Sequence, residues 1–141
     1  MSSFDKYKRF LDVALEVSRY GGFSKKYVGA VIVYKNKFIS SGANRIKTHP
    51  RQKLVSVDTE YLHAETDAII SAMKKKKDLS GCYILVARKT KDGSVTMAKP
   101  CSHCLGLIHE VGIKKVVYTG WNGRLCEIDY KHDKFSMEKK A

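Results

Sequence analysis

The sequence predicts an α/β protein: a three-layer α/β/α sandwich around a mixed sheet of about five strands. Short β-branched apolar runs alternate with segments of helical period, which is the pattern of a sheet covered by helices. Two hairpin signals, Asp92-Gly93 and Asn122-Gly123, place antiparallel pairs within that sheet. No internal repeat and no linker interrupts the 141 residues, so a single domain is expected over 1–141.

Residues 4–20 bring Tyr7, Phe10, Leu11, Ala14, Leu15, Val17 and Ser18 near helical spacing, and Gly21-Gly22 ends the pattern, so the chain opens with an amphipathic helix. Residues 28–34 are short, apolar and β-branched, which reads as a buried strand. Asn36 marks a turn into a second strand over 37–43. From 44 to 61 the chain is polar and basic without a period, and reads as a long functional loop. Residues 63–77 place Ala64, Ala68, Ile69, Ala72 and Met73 on one helical stripe, and the lysines at 74–77 suit the negative end of the helix dipole.

A further buried strand is expected over 82–87, and Asp92-Gly93 turns the chain back within 88–97. Pro100 opens a helix reaching about Val111, with Gly112 as its stop. Strand-like runs at 115–121 and 125–130 flank Asn122-Gly123, so a two-residue hairpin should make the last strand antiparallel to its neighbour. Residues 131–141, with Lys131, Lys134, Lys139 and Lys140, are expected to form a flexible basic tail.

Lys and Arg number 27 against 14 Asp and Glu, giving a net charge of +13. Such a field concentrates phosphate-bearing molecules, although a lysine-rich surface also serves solubility alone. The first ten residues lack the apolar stretch of a secretory signal, and no run of about 18 apolar residues is present to span a bilayer. A soluble, intracellular protein, cytoplasmic and without a membrane partner, is the expectation. The four cysteines are even in number, yet Cys101-Ser-His-Cys104 has metal-ligand spacing, and a reducing compartment favours thiolates over disulfides.

Two clusters fall where a strand gives way to a helix: His63-Ala-Glu65 and Pro100-Cys-Ser-His-Cys104. A helix N-terminus stabilises a thiolate, which suits Cys101 and Cys104 to a borderline-soft cation such as zinc. His63, Cys101 and Cys104 make three ligands and leave the fourth tetrahedral position for water, as in catalytic zinc sites. Glu65 is then surplus to coordination and placed to carry protons. Taken alone, Cys-x-x-Cys also serves structural half-sites and redox pairs, and His103 is an alternative ligand to His63. Cys82 and Cys126 lie in strand-like runs and read as small core residues.

Together the two motifs resemble the signature of the cytidine and deoxycytidylate deaminase superfamily, in which a glutamate that is not a metal ligand acts as general acid and base. The resemblance covers most of the chain, since the leading helix, the strand pair ending at Gly42-Ala-Asn44 and the two motif helices come in the family's order. It implies a cytidine deaminase-like fold, one Zn2+ per chain, and hydrolytic replacement of the exocyclic amine at cytosine C4, giving uracil and ammonia. It also implies substrate contacts: Asn44 to the sugar, the Ala64 N–H to the pyrimidine carbonyl, and the Lys99 carbonyl to the exocyclic amine.

The substrate expectation is a cytosine nucleotide such as dCMP or CMP. Nucleoside-type members usually carry Cys in place of His63 and Glu two residues after the asparagine, where this chain has Ile46. The tRNA adenosine deaminases share His-Ala-Glu but not the surrounding sequence. Lys47, His49 and Arg51 in the basic loop are the candidate phosphate contacts. The antiparallel last strand, conversely, resembles nucleoside-type members. Deamination of single-stranded DNA or RNA is the alternative enzyme reading, drawn from the charge, with Phe23, Tyr27, Tyr61 and Trp121 available for stacking; most of these aromatics are expected in the core or pocket wall. A non-catalytic nucleic-acid-binding protein with a structural zinc is a third reading, and intact Glu65 argues against it. A homo-oligomer is a further expectation, since a one-core chain with its site near an edge can complete its pocket from a neighbouring copy.

Overall fold

The computed structural model describes residues 3–20, 27–44, 63–130 and 138–140. Helix α1 (Ser3–Ser18) leads into strands β1 (Tyr27–Tyr34) and β2 (Lys37–Ala43). Helix α2 (Ala64–Lys75), strand β3 (Cys82–Lys89), the short β4 (Val95–Thr96) and helix α3 (Ser102–Glu110) follow. Strands β5 (Lys115–Thr119), β6 (Leu125–Asp129) and β7 (Glu138–Lys140) complete the described chain.

The sheet runs β2-β1-β3-β5-β6-β7, with β4 added to the end of β3. All neighbouring pairs are antiparallel except β3 and β5. A parallel pair needs a crossover, and the segment carrying β4 and α3 supplies it.

Strand alternation sorts the core into two layers. Ala30, Ile32, Ile84, Val86, Val116, Tyr118 and Ile128 face α2 and α3, where they meet Ala68, Ile69, Ala72, Leu107 and Ile108. Val31, Val33, Leu85, Ala87, Val117 and Leu125 face Tyr7, Phe10 and Ala14 of α1. Both faces of the central strands are thus dry, which is why their sequences are nearly continuous apolar runs rather than alternating ones. The three-layer expectation holds, and the antiparallel last strand with it.

The details of the turns differ from the sequence reading. Thr119 pairs with Leu125, and the Gly120 N–H donates to the Arg124 carbonyl at 2.5 Å. That leaves three residues, Trp121–Gly123, in the loop rather than two. Asn122 (φ 63°) and Gly123 (φ 75°) still supply the left-handed backbone for which this dipeptide is suited. The Asp92-Gly93 turn forms as expected, but the strand it returns is only two residues long. Trp121 is 68% exposed, not part of the core or a pocket wall. Cys82 is fully buried and Cys126 partly so, both against the α2/α3 side of the core. The loop over 45–61, with Lys47, His49, Arg51, Phe23 of the earlier loop and Tyr61, falls outside the described residues, as do 131–137 of the tail.

Candidate active site

Each motif begins a helix. His63 is the N-cap residue of α2 and Cys101 the N-cap residue of α3, both with extended backbone and neither spending its side chain on a capping bond. Ser, Thr, Asp or Asn ordinarily stands at an N-cap because its oxygen satisfies a free N–H. Here that stabilisation is forgone, and the two side chains point elsewhere. They converge: the ligand atoms of His63, Cys101 and Cys104 all lie within 4.8 Å of one another. His63 Nδ1 is 3.2 Å from Cys104 Sγ. Ligands around a tetrahedral zinc with bonds of about 2.0–2.3 Å stand roughly 3.5 Å apart, so this donor set fits the ion. His103 is exposed and stands outside the cluster, whose histidine is His63.

The protonation pattern is that of a site built for a cation. Cys101 is pulled down to about 3, first by a hydrogen bond with Cys104 and then by one with His63. Cys104 moves the opposite way, because it keeps the proton shared with Cys101 and is buried. The two thiols act as one hydrogen-bonded pair, and the chemistry of this donor set suits thiolate ligation of a metal. Burial likewise pushes the Glu65 carboxyl above the usual carboxylate range, against the opposing pull of its backbone hydrogen bond and of His63.

The first turn of α2 is locked to the end of β2. Asp67 Oδ2 accepts from the Ala43 N–H at 3.1 Å, and Ser40 Oγ donates to the Ala68 carbonyl at 2.7 Å. Gly42 makes the close approach possible, since a Cβ there meets the Ala68 nitrogen at 2.4 Å and the Ala64 oxygen at 2.5 Å. Glu65, Thr66 and Asp67 are consequently buried, although the helical stripe in the sequence had pointed only to the apolar positions. On the α3 side, the Ala98 N–H donates to the Thr119 carbonyl at 2.7 Å, which ties the segment before Pro100 to β5.

Between these two helix starts lies a cavity of about 220 Å3 lined by Val28, Asn44, His63, Ala64, Glu65, Arg88, Met97, Ala98, Lys99 and Cys101. Asn44, Ala64 and Lys99 therefore stand in the same wall as the metal cluster. The Asn44 Oδ1 also accepts from the Val28 N–H at 3.2 Å, so the side chain braces β1 as well as facing the cavity. Lys47, His49 and Arg51 lie outside the described residues. Sequence reading missed two residues. Arg88 lines the cavity, and its signal was the alternation Cys82, Ile84, Val86, Arg88, which turns position 88 inward. Thr119 is fully buried: its Oγ1 donates to the Thr96 carbonyl at 2.7 Å and accepts from the Arg88 N–H at 3.3 Å.

Residues 4–120 match the family described as the cytidine and deoxycytidylate deaminase zinc-binding region. The chain belongs to that family. It is a zinc-dependent deaminase, and the His63, Cys101 and Cys104 cluster is consistent with one zinc per chain. It is 34% identical over 117 residues to an uncharacterized deaminase in the luxG 3′ region of Aliivibrio fischeri, covering 77% of this chain and 69% of that protein. The fold is similar to that of the dCMP deaminase of cyanophage S-TIM5, with a TM-score of 0.63 and 22% identity over 85% of this chain and 86% of that one. It is also similar to a diaminohydroxyphosphoribosylaminopyrimidine deaminase/reductase of Thermotoga maritima (TM-score 0.57, 29% identity, 84% of this chain and 30% of that one). The guanine deaminase of Bacillus subtilis gives a TM-score of 0.57 at 26% identity, over 85% and 65% of the two chains.

Proposed function

We propose that this deaminase acts on the cytosine base of a nucleotide, CMP or dCMP, releasing ammonia and leaving uracil. The observation that carries the reading is the single small cavity joining the metal cluster, Glu65, Asn44 and a guanidinium. Its volume lies below the roughly 300–1,000 Å3 usual for small-molecule pockets, which favours a one-ring base over a purine. The Thermotoga maritima relative, whose name has it act on a phosphoribosylaminopyrimidine, supports a one-ring, phosphorylated substrate. The Bacillus subtilis guanine deaminase is the competing precedent.

When bound, zinc supplies a fourth coordination position open to water and lowers the pKa of that water to about 7. Glu65 then moves the protons. Its raised carboxyl pKa suits it to take a proton from water, pass one to the ring nitrogen and deliver another to the departing amine. The Ala64 N–H holds the ring carbonyl, the Lys99 carbonyl accepts from the exocyclic amine, and Asn44 contacts the sugar. Lys47, His49 and Arg51 remain the proposed phosphate contacts of the basic loop. Water and cytosine are consumed, uracil and ammonia produced.

One observation favours a polynucleotide instead. A second cavity of about 540 Å3, lined by Lys6, Arg9, Lys35, Lys114 and Lys115, the last of them paired with Glu127 at 3.8 Å, opens beside Gly81 and Tyr83 at the far end of β3. Together with the charge of +13, it suits a run of phosphates. Ammonia release from cytidine, CMP, dCMP, dCTP, single-stranded DNA and tRNA tests both readings. Turnover of CMP or dCMP with little change between about 50 and 200 mM salt supports the first. Turnover of the polymers alone, falling steeply over that range, replaces it with the second.

A further inference from the structure

Arg88 belongs to neither motif, yet it stands half-buried in the described wall of the active-site cavity. Its backbone pairs with Val28 on β1, and Val28 in turn donates to Asn44 Oδ1, so Asn44, Val28 and Arg88 form a row across the ends of three strands. Thr119 holds the Arg88 end of that row through the Arg88 N–H. The Arg88 Nε is buried and has no hydrogen-bond partner among the described residues.

A guanidinium does not shed its proton, so burial cannot be relieved by neutralisation. A half-buried cation with an unmet donor is stabilised when an opposite charge and matching acceptors reach it. The buried carboxylates among the described residues are engaged elsewhere: Asp67 with the Ala43 N–H, Glu65 with the metal cluster. Lys99, also in the wall, is exposed. Among the described residues nothing meets the Arg88 Nε, and an anion entering the cavity would supply both the acceptor and the opposite charge, which a neutral carbonyl does not. Phosphate presents paired oxygens that match the fork of a guanidinium. Asn44 and Arg88 stand about two strand spacings apart, roughly 10 Å, which is the scale of a sugar and its phosphate.

We propose that Arg88 receives the phosphate of the substrate and so makes this a pocket for a nucleoside monophosphate. The proposal rests on the nucleotide reading above and assigns the anion to β3 in addition to the basic loop. Arg88→Met and Arg88→Lys test it in the zinc-loaded protein. The ratio of kcat/KM for dCMP to that for deoxycytidine should fall roughly 10- to 100-fold in Arg88→Met, the scale of one lost charged hydrogen bond, and by less in Arg88→Lys. Equal losses on nucleotide and nucleoside, or no loss on either, overturn it. Calorimetric titration with dUMP and with inorganic phosphate keeps the test independent of turnover: both should bind wild type more tightly than Arg88→Met, while deoxyuridine should not discriminate. If wild type deaminates no cytosine compound, the cytosine reading fails while phosphate binding still decides Arg88. Zinc content and Tm matching wild type in Arg88→Lys exclude a folding defect; a Lys variant with wild-type fold and undiminished phosphate affinity and preference for dCMP in both variants also overturns the assignment.

Discussion

Replacing Gly42 by alanine sets a methyl carbon 2.4 Å from the Ala68 nitrogen and 2.5 Å from the Ala64 oxygen, both backbone atoms of α2. Real Cβ atoms essentially never approach closer than 3.0 Å, so the start of the helix must move by about 0.6 Å or β2 must yield by as much. Overpacking of this kind costs about 1–3 kcal/mol, and contact with backbone rather than a flexible side chain points to the upper end. With an unfolding entropy of about 2.1 cal/mol/K per residue, about 3 kcal/mol corresponds to a loss of about 10 °C in Tm for a chain of 141 residues. The same shift moves His63 and Glu65 relative to Cys101, so zinc affinity and turnover should fall as well, turnover by roughly tenfold or more. Gly29→Ala is the matched control. Its Cβ meets the Ala14 oxygen at 2.1 Å on the opposite face of the sheet, so it should lose Tm without losing zinc affinity. Calorimetric melting and zinc competition titration of both variants read the outcome. A Gly42→Ala protein melting within about 2 °C of wild type with unaltered zinc affinity refutes the argument that this contact sets the position of α2.

Three further outcomes are expected. Glu65→Gln should lower ammonia release by roughly 100-fold or more with zinc stoichiometry near one, whereas His63→Ala, Cys101→Ser and Cys104→Ser should lose the metal, as read by metal analysis alongside the assay. Asp67→Ala strands the buried Ala43 N–H and should cost about 1–3 kcal/mol in urea denaturation, while Asp67→Asn, which keeps an acceptor, should cost less. Gly106→Ala, inside α3 with nothing within 4 Å of the added carbon, should instead stabilise by about 0.5–1 kcal/mol; a loss of stability there contradicts the open space on that helix face.

The order of elements and the metal cluster were legible in the chain because both rest on local patterns. Strand runs such as 28–34 are apolar throughout since each face of the sheet is covered, and the motif cysteines are three residues apart on one helical turn. Trp121 was harder to place: an aromatic beside Asn122-Gly123 is apolar enough for the core, but a three-residue loop instead of a two-residue one carries it into solvent. Glu65 was legible as surplus to coordination, yet its burial was not, because that comes from Gly42 letting β2 approach the helix.

Arg88 marks the boundary most clearly. By itself the sequence placed a His-x-Glu and a Cys-x-x-Cys at the starts of two helices, hence a candidate zinc site with a carboxylate surplus to coordination beside it, since ligand spacing and helix starts are encoded within a few residues. Only the tertiary structure decided which distant residues share the cavity with that site. Asn44, Arg88 and Lys99 come from three different segments, and it is the antiparallel register of β1 on β3, with Val28 opposite Arg88, that brings a cation to the cavity wall. Register depends on how whole strands pair and bury their faces, and no short stretch of chain contains that information.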